Sequence, residues 1–206
     1  MRIYGTPLSR AFRPLWMAEE LGLKYEHIPT DSADGGLGPN GCKTPEYLKI
    51  NPNGKIPALD DNGVVLWESM AINLYLARKY NKGLWPATVE DEGRAYQWTL
   101  WGVTTMEGPL ADWARHSSIL PEAQRDPAIA AEALKKLSGP LALLDTALSR
   151  SPYLLGEKFT VADLNLAAAM LRARKMDLAA RPHIAQWIKR CFERPAAKRA
   201  LAMRGE

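Results

Sequence analysis

Residues 51–69, "NPNGKIPALDDNGVVLWES", restrict this chain to few folds. Two apolar runs flank Asp61-Asn62-Gly63, the pattern of a tight antiparallel hairpin. The second run leads into Ser69, after which Met70, Ile72, Leu74, Tyr75 and Leu76 recur at helical spacing. Pro57 stands just ahead of the first strand. A proline there either begins the strand or lies in a turn as a cis peptide. The cis form would leave the Ile56 amide and carbonyl outside the sheet, able to pair with an extended peptide ligand.

The segments before the hairpin supply its partners. "RIY" reads as a strand entering the turn Gly5-Thr6-Pro7, and Phe12, Leu15 and Trp16 predict a helix that stops at Gly22. Pro14 fits that helix only in its first turn, where an amide hydrogen is dispensable. "KYEHIP" reads as a second strand, "DSADGGLGPNG" as a loop and "TPEYLKI" as a short helix. Residues 1–80 thus have the order β-α-β-α-β-β-α of a thioredoxin-like domain, followed by a linker over 81–89. Beyond it, residues 90–206 read as a helical bundle. "EDEGRAYQWTLWGVTTMEGPLADWARH" predicts one long helix, straight or kinked; "DPAIAAEALKKLSGPLALLDTALSR", "TVADLNLAAAMLRARK" and "HIAQWIKRCFER" predict three more. The expected class is α/β plus all-α.

Charge and composition exclude several functions. The 206 residues are 47% hydrophobic, enough for a sizeable core, and the net charge of +4 comes from basic residues scattered among acids, which argues against nucleic acid. "MRIYGTP" has no apolar signal region, and no run approaches the roughly 20 apolar residues of a membrane span, so a cytoplasmic protein with no membrane partner is expected. Cys42 and Cys191 form no Cys-x-x-Cys pair, which points away from a dithiol centre. "GGLGPNGCKT" approaches a phosphate-cradling loop, but Cys42 separates Gly41 from Lys43 and no long helix follows.

Several residues each have a functional reading beside a structural one. Ser9, between the Gly-Thr-Pro turn and a helix start, is either a helix cap or a hydroxyl aimed at a ligand. Arg10 and Arg13 either add positive potential there or occupy a solvated helix face; Tyr4 lies inside the strand. At the hairpin's end, Ser69 either caps a helix or, with that helix's free amides, receives a carboxylate, while Glu68 could pair with an ammonium. Thr160 and Asp163 match a capping box, a structural device.

Taken together, "GTPLS", "KTPEYL", "NPNGKIPAL", "LWESMAI" and "GEKFTVADL", in this order over the whole chain, strongly resemble the cytosolic glutathione transferases, most closely the serine-using phi and theta-like classes. The resemblance implies glutathione as co-substrate, no metal, a homodimer, and conjugation to small hydrophobic electrophiles, with peroxidase activity as a further expectation. It implies that Ser9 is catalytic and hydrogen-bonds the glutathione sulfur. Lys43 and Lys55 would lie at the glycine end, Ile56 would pair its backbone with the cysteinyl unit before a cis Pro57, and Glu68 and Ser69 would hold the γ-glutamyl end. Where the phi class often has histidine before the Lys43 position this chain has Cys42, which reads as a spectator. The glycine-rich loop before it is expected to be mobile until ligand arrives. Trp101, Met106, Trp113 and His116 either line an electrophile pocket or belong to the core. A binding module with this fold and no turnover is the alternative; a glutaredoxin-like or omega-like thiol oxidoreductase would need a cysteine near Ser9, and none is there.

Overall fold

Strand β1 (Arg2–Tyr4) lies inside a four-stranded sheet, parallel to β2 (Glu26–Ile28) and antiparallel to β3 (Ala58–Asp61), which pairs antiparallel with β4 (Val64–Trp67). The computed structural model describes residues 1–206, in two compact units: Met1–Trp85 with Glu193–Glu206, and Pro86–Phe192. The hairpin follows from its turn. Asn62 and Gly63 have φ of 55° and 93°, the two positive values that match a two-residue turn to the twist of its strands.

In the first unit, α1 (Phe12–Glu20) buries Phe12, Leu15, Trp16 and Met17 and ends ahead of Gly22, whose φ of 56° suits glycine. Thr44 caps α2 (Pro45–Leu48) by accepting the Tyr47 amide at 3.3 Å, and α3 (Ser69–Tyr80) packs on α1. A last helix, Pro195–Ala202, also packs on α1. The sequence pattern assigned residues 193–206 to the second domain, yet they belong to the first unit, because Arg194 grips Glu20 through two hydrogen bonds of 2.8 Å and Arg199 reaches Glu19.

The hairpin is anchored to α3 through Asp61, whose side chain is fully buried. It accepts hydrogen bonds from Lys79 (2.7 Å), Tyr75 (3.1 Å) and Tyr80 (3.0 Å). Burial alone would push its pKa up, but these three donors hold it below the ordinary 3.8. A carboxylate with a depressed folded pKa stabilises the fold above its unfolded value and loses that contribution as pH falls through the folded one. Wild-type stability, followed by thermal melts, is therefore expected to decline below about pH 4, and Asp61→Asn to be less stable at neutral pH with a flatter acid limb.

The second unit contains α4 (Val89–Trp101), α5 (Glu107–Ala114), α6 (Pro127–Leu148), α7 (Val161–Ala169) and α8 (Pro182–Phe192); Pro195–Ala202 of the first unit is α9. The long helix expected, straight or kinked, runs from α4 into α5 through a wide, π-type turn at Gly102–Met106, just before Pro109, which lacks an amide hydrogen. Every residue of α7 is buried, which explains why its sequence is apolar nearly all round. Helix α7 also ends earlier than its pattern predicts, tightening after Met170 into a 3₁₀ segment over Leu171–Lys175. Asp145 of α6 accepts the His183 and Ile184 amides at the start of α8, both at 3.0 Å.

Candidate functional site

Ser9 does not cap α1. That helix begins at Phe12 with Ala11 at its N-cap, and Ser9 lies in the preceding turn, half-buried. Its hydroxyl donates to the Thr6 carbonyl at 2.7 Å and accepts the Ala11 amide at 3.1 Å. The Ser9 amide bonds Thr6 as well, and the Ser9 carbonyl accepts from Phe12 at 3.2 Å. These bonds fix the turn and the direction of the hydroxyl. A ligand sulfur could receive the proton only by drawing it off Thr6.

Gly5 brings this turn against the proline segment. With φ of 134°, it has no room for a side chain: a Cβ there would lie 2.6 Å from Ala11 Cβ, 3.3 Å from Ile56 Cβ and 3.6 Å from Pro57 Cα. The Ile56–Pro57 bond is cis. Strand pairing begins at Ala58, opposite Tyr4 and Trp67, so Ile56 stays outside the ladder. The Lys55 carbonyl is held by Tyr47 Oη (2.7 Å) and by Asn51 Nδ2 (2.6 Å), with Asn51 itself buried.

Lys43 and Lys55 are both exposed, and Lys43 Nζ donates to the Asn53 carbonyl at 3.0 Å. Its stem lies across Gly54, where a Cβ would be 2.6 Å from Lys43 Cδ and Nζ. The glycine-rich loop makes backbone hydrogen bonds to its flanks, among them Lys43 to Gly36 (2.8 Å) and Cys42 to Asp31 (2.9 Å). Cys42 is buried with Tyr47 and Ala58, with Tyr4, Ile50 and Ile56 packed around them. It is a core residue.

Glu68 is exposed at the N-cap of α3 with φ 71° and ψ 107°, a region that costs a non-glycine residue about 1–3 kcal/mol. Ser69 follows as the first helical residue, buried, and offers no side-chain cap. Its hydroxyl accepts a hydrogen bond from Arg13 Nη1 at 3.0 Å and so keeps its own proton for a further acceptor. The solvated-face reading of Arg13 fails, since it is only 5% exposed. Its burial could not be read from α1, because Ser69 is 56 residues away.

In the second unit, Trp101, Trp113 and His116 are half-buried, while Met106 is wholly buried, so the core reading holds for it. Trp101 meets Trp98 edge-to-face at 5.3 Å. His116 Nδ1 accepts the Asp126 amide at 3.0 Å, which places the ring proton of the neutral form on Nε2. No cluster of three or more His, Cys, Asp or Glu side chains is arranged to hold a metal ion, and no helix is long and apolar enough to cross a membrane.

Known proteins resemble this chain in both sequence and fold. The family model described as the glutathione S-transferase N-terminal domain matches residues 1–78, and that of the C-terminal domain matches residues 109–195. Glutathione S-transferase 3 of Zea mays is 34% identical over 98% of this chain and 93% of its own; GstB of Escherichia coli K12 is 31% identical over 89% and 88%. A theta-class glutathione S-transferase of Xanthomonas axonopodis pv. citri, solved with glutathione bound, superimposes with a TM-score of 0.86 at 36% identity, covering 97% of this chain and 95% of that one. Glutathione transferase F2 of Populus trichocarpa gives a TM-score of 0.88 at 26% identity, covering 99% and 98%. With both halves matched in order by family models and a 34% identical relative covering nearly the whole chain, the chain belongs to the glutathione S-transferase family.

Proposed function

We propose that the protein binds glutathione on its first unit, activates the thiol through the Ser9 hydroxyl and joins the sulfur to small hydrophobic electrophiles. The observation that carries this reading is the close approach at Gly5 between the turn leading to Ser9 and α1 and the Ile56–Pro57 segment, whose Ile56 lies outside the sheet ladder. Ile56 is then the partner of the cysteinyl unit. Glu68 and Ser69 take the γ-glutamyl ammonium and carboxylate, with Glu68 strained into its exposed position and Ser69 retaining a proton to donate. Lys43 and Lys55 supply positive charge for the glycine carboxylate. Trp101, Trp113 and His116 are assigned to the electrophile. The glutathione-bound neighbour supports the co-substrate.

The energetics suit a hydroxyl. A thiol with a pKa near 8.5 is about 3% ionised at pH 7, and each unit of depression requires about 1.36 kcal/mol of preferential thiolate stabilisation. A hydrogen bond to a charged acceptor contributes about 1.5–3 kcal/mol. No metal or base triad is required.

We also infer a homodimer acting in the cytoplasm on toxic electrophiles. Strand β4 is an edge strand with Val64, Val65 and Trp67 exposed by 44%, 40% and 43%, an apolar margin that a second copy would cover. Light scattering tests the dimer. For the activity, titration calorimetry with glutathione should be combined with turnover of an aryl halide, an epoxide, an unsaturated carbonyl and an organic hydroperoxide. Binding with turnover of at least one of these is expected. Tight binding with no turnover across the panel would identify a non-catalytic module instead.

A further inference from the structure

The turn that carries Ser9 is held from the opposite end of the chain. Helix α9 is fastened along α1 by Arg194 on Glu20 and Arg199 on Glu19, and Tyr25 Oη reaches Met203 Sδ at 3.9 Å. This docking delivers Arg204, just beyond α9, to the residues on either side of Ser9. Its Nη1 donates to the Pro7 carbonyl, two residues before Ser9, and its guanidinium lies over the Phe12 ring, 5.2 Å from the centroid, three residues after Ser9. Its Nε donates to Glu206 Oε1 at 3.0 Å, so the plane of the fork is fixed as well. The side chain is 12% exposed.

We propose that Arg204 is a positioning residue for Ser9: by clamping the Pro7 carbonyl and the Phe12 ring together it sets the turn from which the Ser9 hydroxyl faces the glutathione sulfur. The inference rests on the reading of Ser9 as the sulfur's hydrogen-bond donor.

The clamp acts on the two anchors of the turn. The Phe12 amide holds the Ser9 carbonyl, so a shift of Phe12 is passed directly to Ser9. On the other side, Pro7 follows Thr6, whose carbonyl competes with the sulfur for the Ser9 proton. A bare ammonium could not take over both contacts, because only a planar guanidinium stacks on a ring while donating in its own plane. Arg204 itself touches neither sulfur nor electrophile in this scheme. Its effect on catalysis must pass through Ser9.

The experiment is a mutant cycle on the full chain: wild type, Arg204→Met, Ser9→Ala and the double variant, with Arg199→Met as a control for α9 docking alone. For each, the pH profile of kcat/KM toward an aryl halide and the thermal melt are measured, with kinetics taken well below the melt. Arg204→Met is expected to lower kcat/KM by about threefold at neutral pH and to move the profile's midpoint up by about half a unit, the scale of a small misplacement of a catalytic group. Arg204→Lys is expected to recover only part of this, and Arg199→Met, which leaves the Arg194–Glu20 pair to hold α9, to move the midpoint by clearly less than Arg204→Met does. In the Ser9→Ala background, Arg204→Met is expected to add nothing. An unmoved midpoint in Arg204→Met, an equal shift in Arg199→Met, or a full threefold loss persisting without the Ser9 hydroxyl would each overturn the clamp. If Ser9→Ala itself leaves the profile unchanged, the reading of Ser9 fails first, and the cycle separates the two failures.

Discussion

Ser9→Ala is expected to lower kcat/KM toward an aryl halide by about tenfold at neutral pH and to raise the midpoint of its pH profile by about one unit. The size follows from what the hydroxyl gives up. In the ligand-free protein its proton is already engaged with the Thr6 carbonyl at 2.7 Å. Binding a thiolate therefore exchanges a neutral hydrogen bond, worth about 0.5–1.5 kcal/mol, for a charged one of about 1.5–3 kcal/mol. The difference, about 1–2 kcal/mol, corresponds to roughly 5- to 30-fold. The sign is fixed as well: without the donor the thiol pKa rises, and the rising limb of the profile moves to higher pH. Glutathione affinity measured below the thiol pKa should change little, because the neutral thiol gains little from the hydroxyl. Loss of the Ala11 amide's partner lowers stability by a small amount, which the thermal melt records separately. An unshifted midpoint in a folded Ser9→Ala protein would rule out the hydroxyl as the activating group.

What was legible in the sequence was what local chemistry dictates. The Asn62-Gly63 turn, the Thr44-Pro45 start of α2, the stop at Gly22 and the Thr160–Asp163 capping box each depend on residues a few positions apart, and all are in the structure. The segments that differ depend on distant partners. Helix α9 follows Arg194-Pro195 with only a short apolar face, and what holds it is a pair of glutamates at the far end of the chain, Glu19 and Glu20. Similarly, Asp61 in a hairpin resembles any turn carboxylate until Tyr75, Lys79 and Tyr80 close over it.

The candidate site divides along the same line. Motif order was enough to nominate Ser9, Ile56, Pro57, Glu68 and Ser69, because each lies at the end of an element whose order along the chain is readable. The proton's present acceptor, the Thr6 carbonyl, is a matter of a tight turn whose hydrogen-bond directions no residue pattern reveals. The contacts of Arg13 and Arg204 were unreadable for a stronger reason. Charged side chains on or beyond helices are usually solvated, and only the tertiary fold turns these two inward, one onto Ser69 and the other onto Pro7 and Phe12.

The largest loss of stability is expected at Asp163, in the second unit. Its carboxylate is fully buried and accepts from the Leu154 amide (2.9 Å) and Trp187 Nε1 (2.9 Å) on Oδ1, and from the Thr160 amide (3.0 Å) and hydroxyl (3.2 Å) on Oδ2. Asp163→Ala strands three N–H donors in a dry interior. At about 1–3 kcal/mol for each unsatisfied group, a loss of about 4 kcal/mol is expected, a large share of the roughly 5–15 kcal/mol that holds a domain together. For a protein of this size that lowers the melting temperature by roughly 8–16 °C. Asp163→Asn should be nearly as damaging, because its amide group would turn donors towards donors on one side of the carboxylate's site. Burial pushes the Asp163 pKa above its ordinary value against the pull of its four donors, so this group's contribution runs opposite to that of Asp61. Where the folded pKa lies above the unfolded one, the folded state takes up the proton first, and this contribution favours folding increasingly as pH falls through the folded value. The neutral-pH melt is therefore the stringent measurement: a folded Asp163→Ala protein melting within a few degrees of wild type would mean that water, rather than vacuum, meets the donors the carboxylate leaves behind.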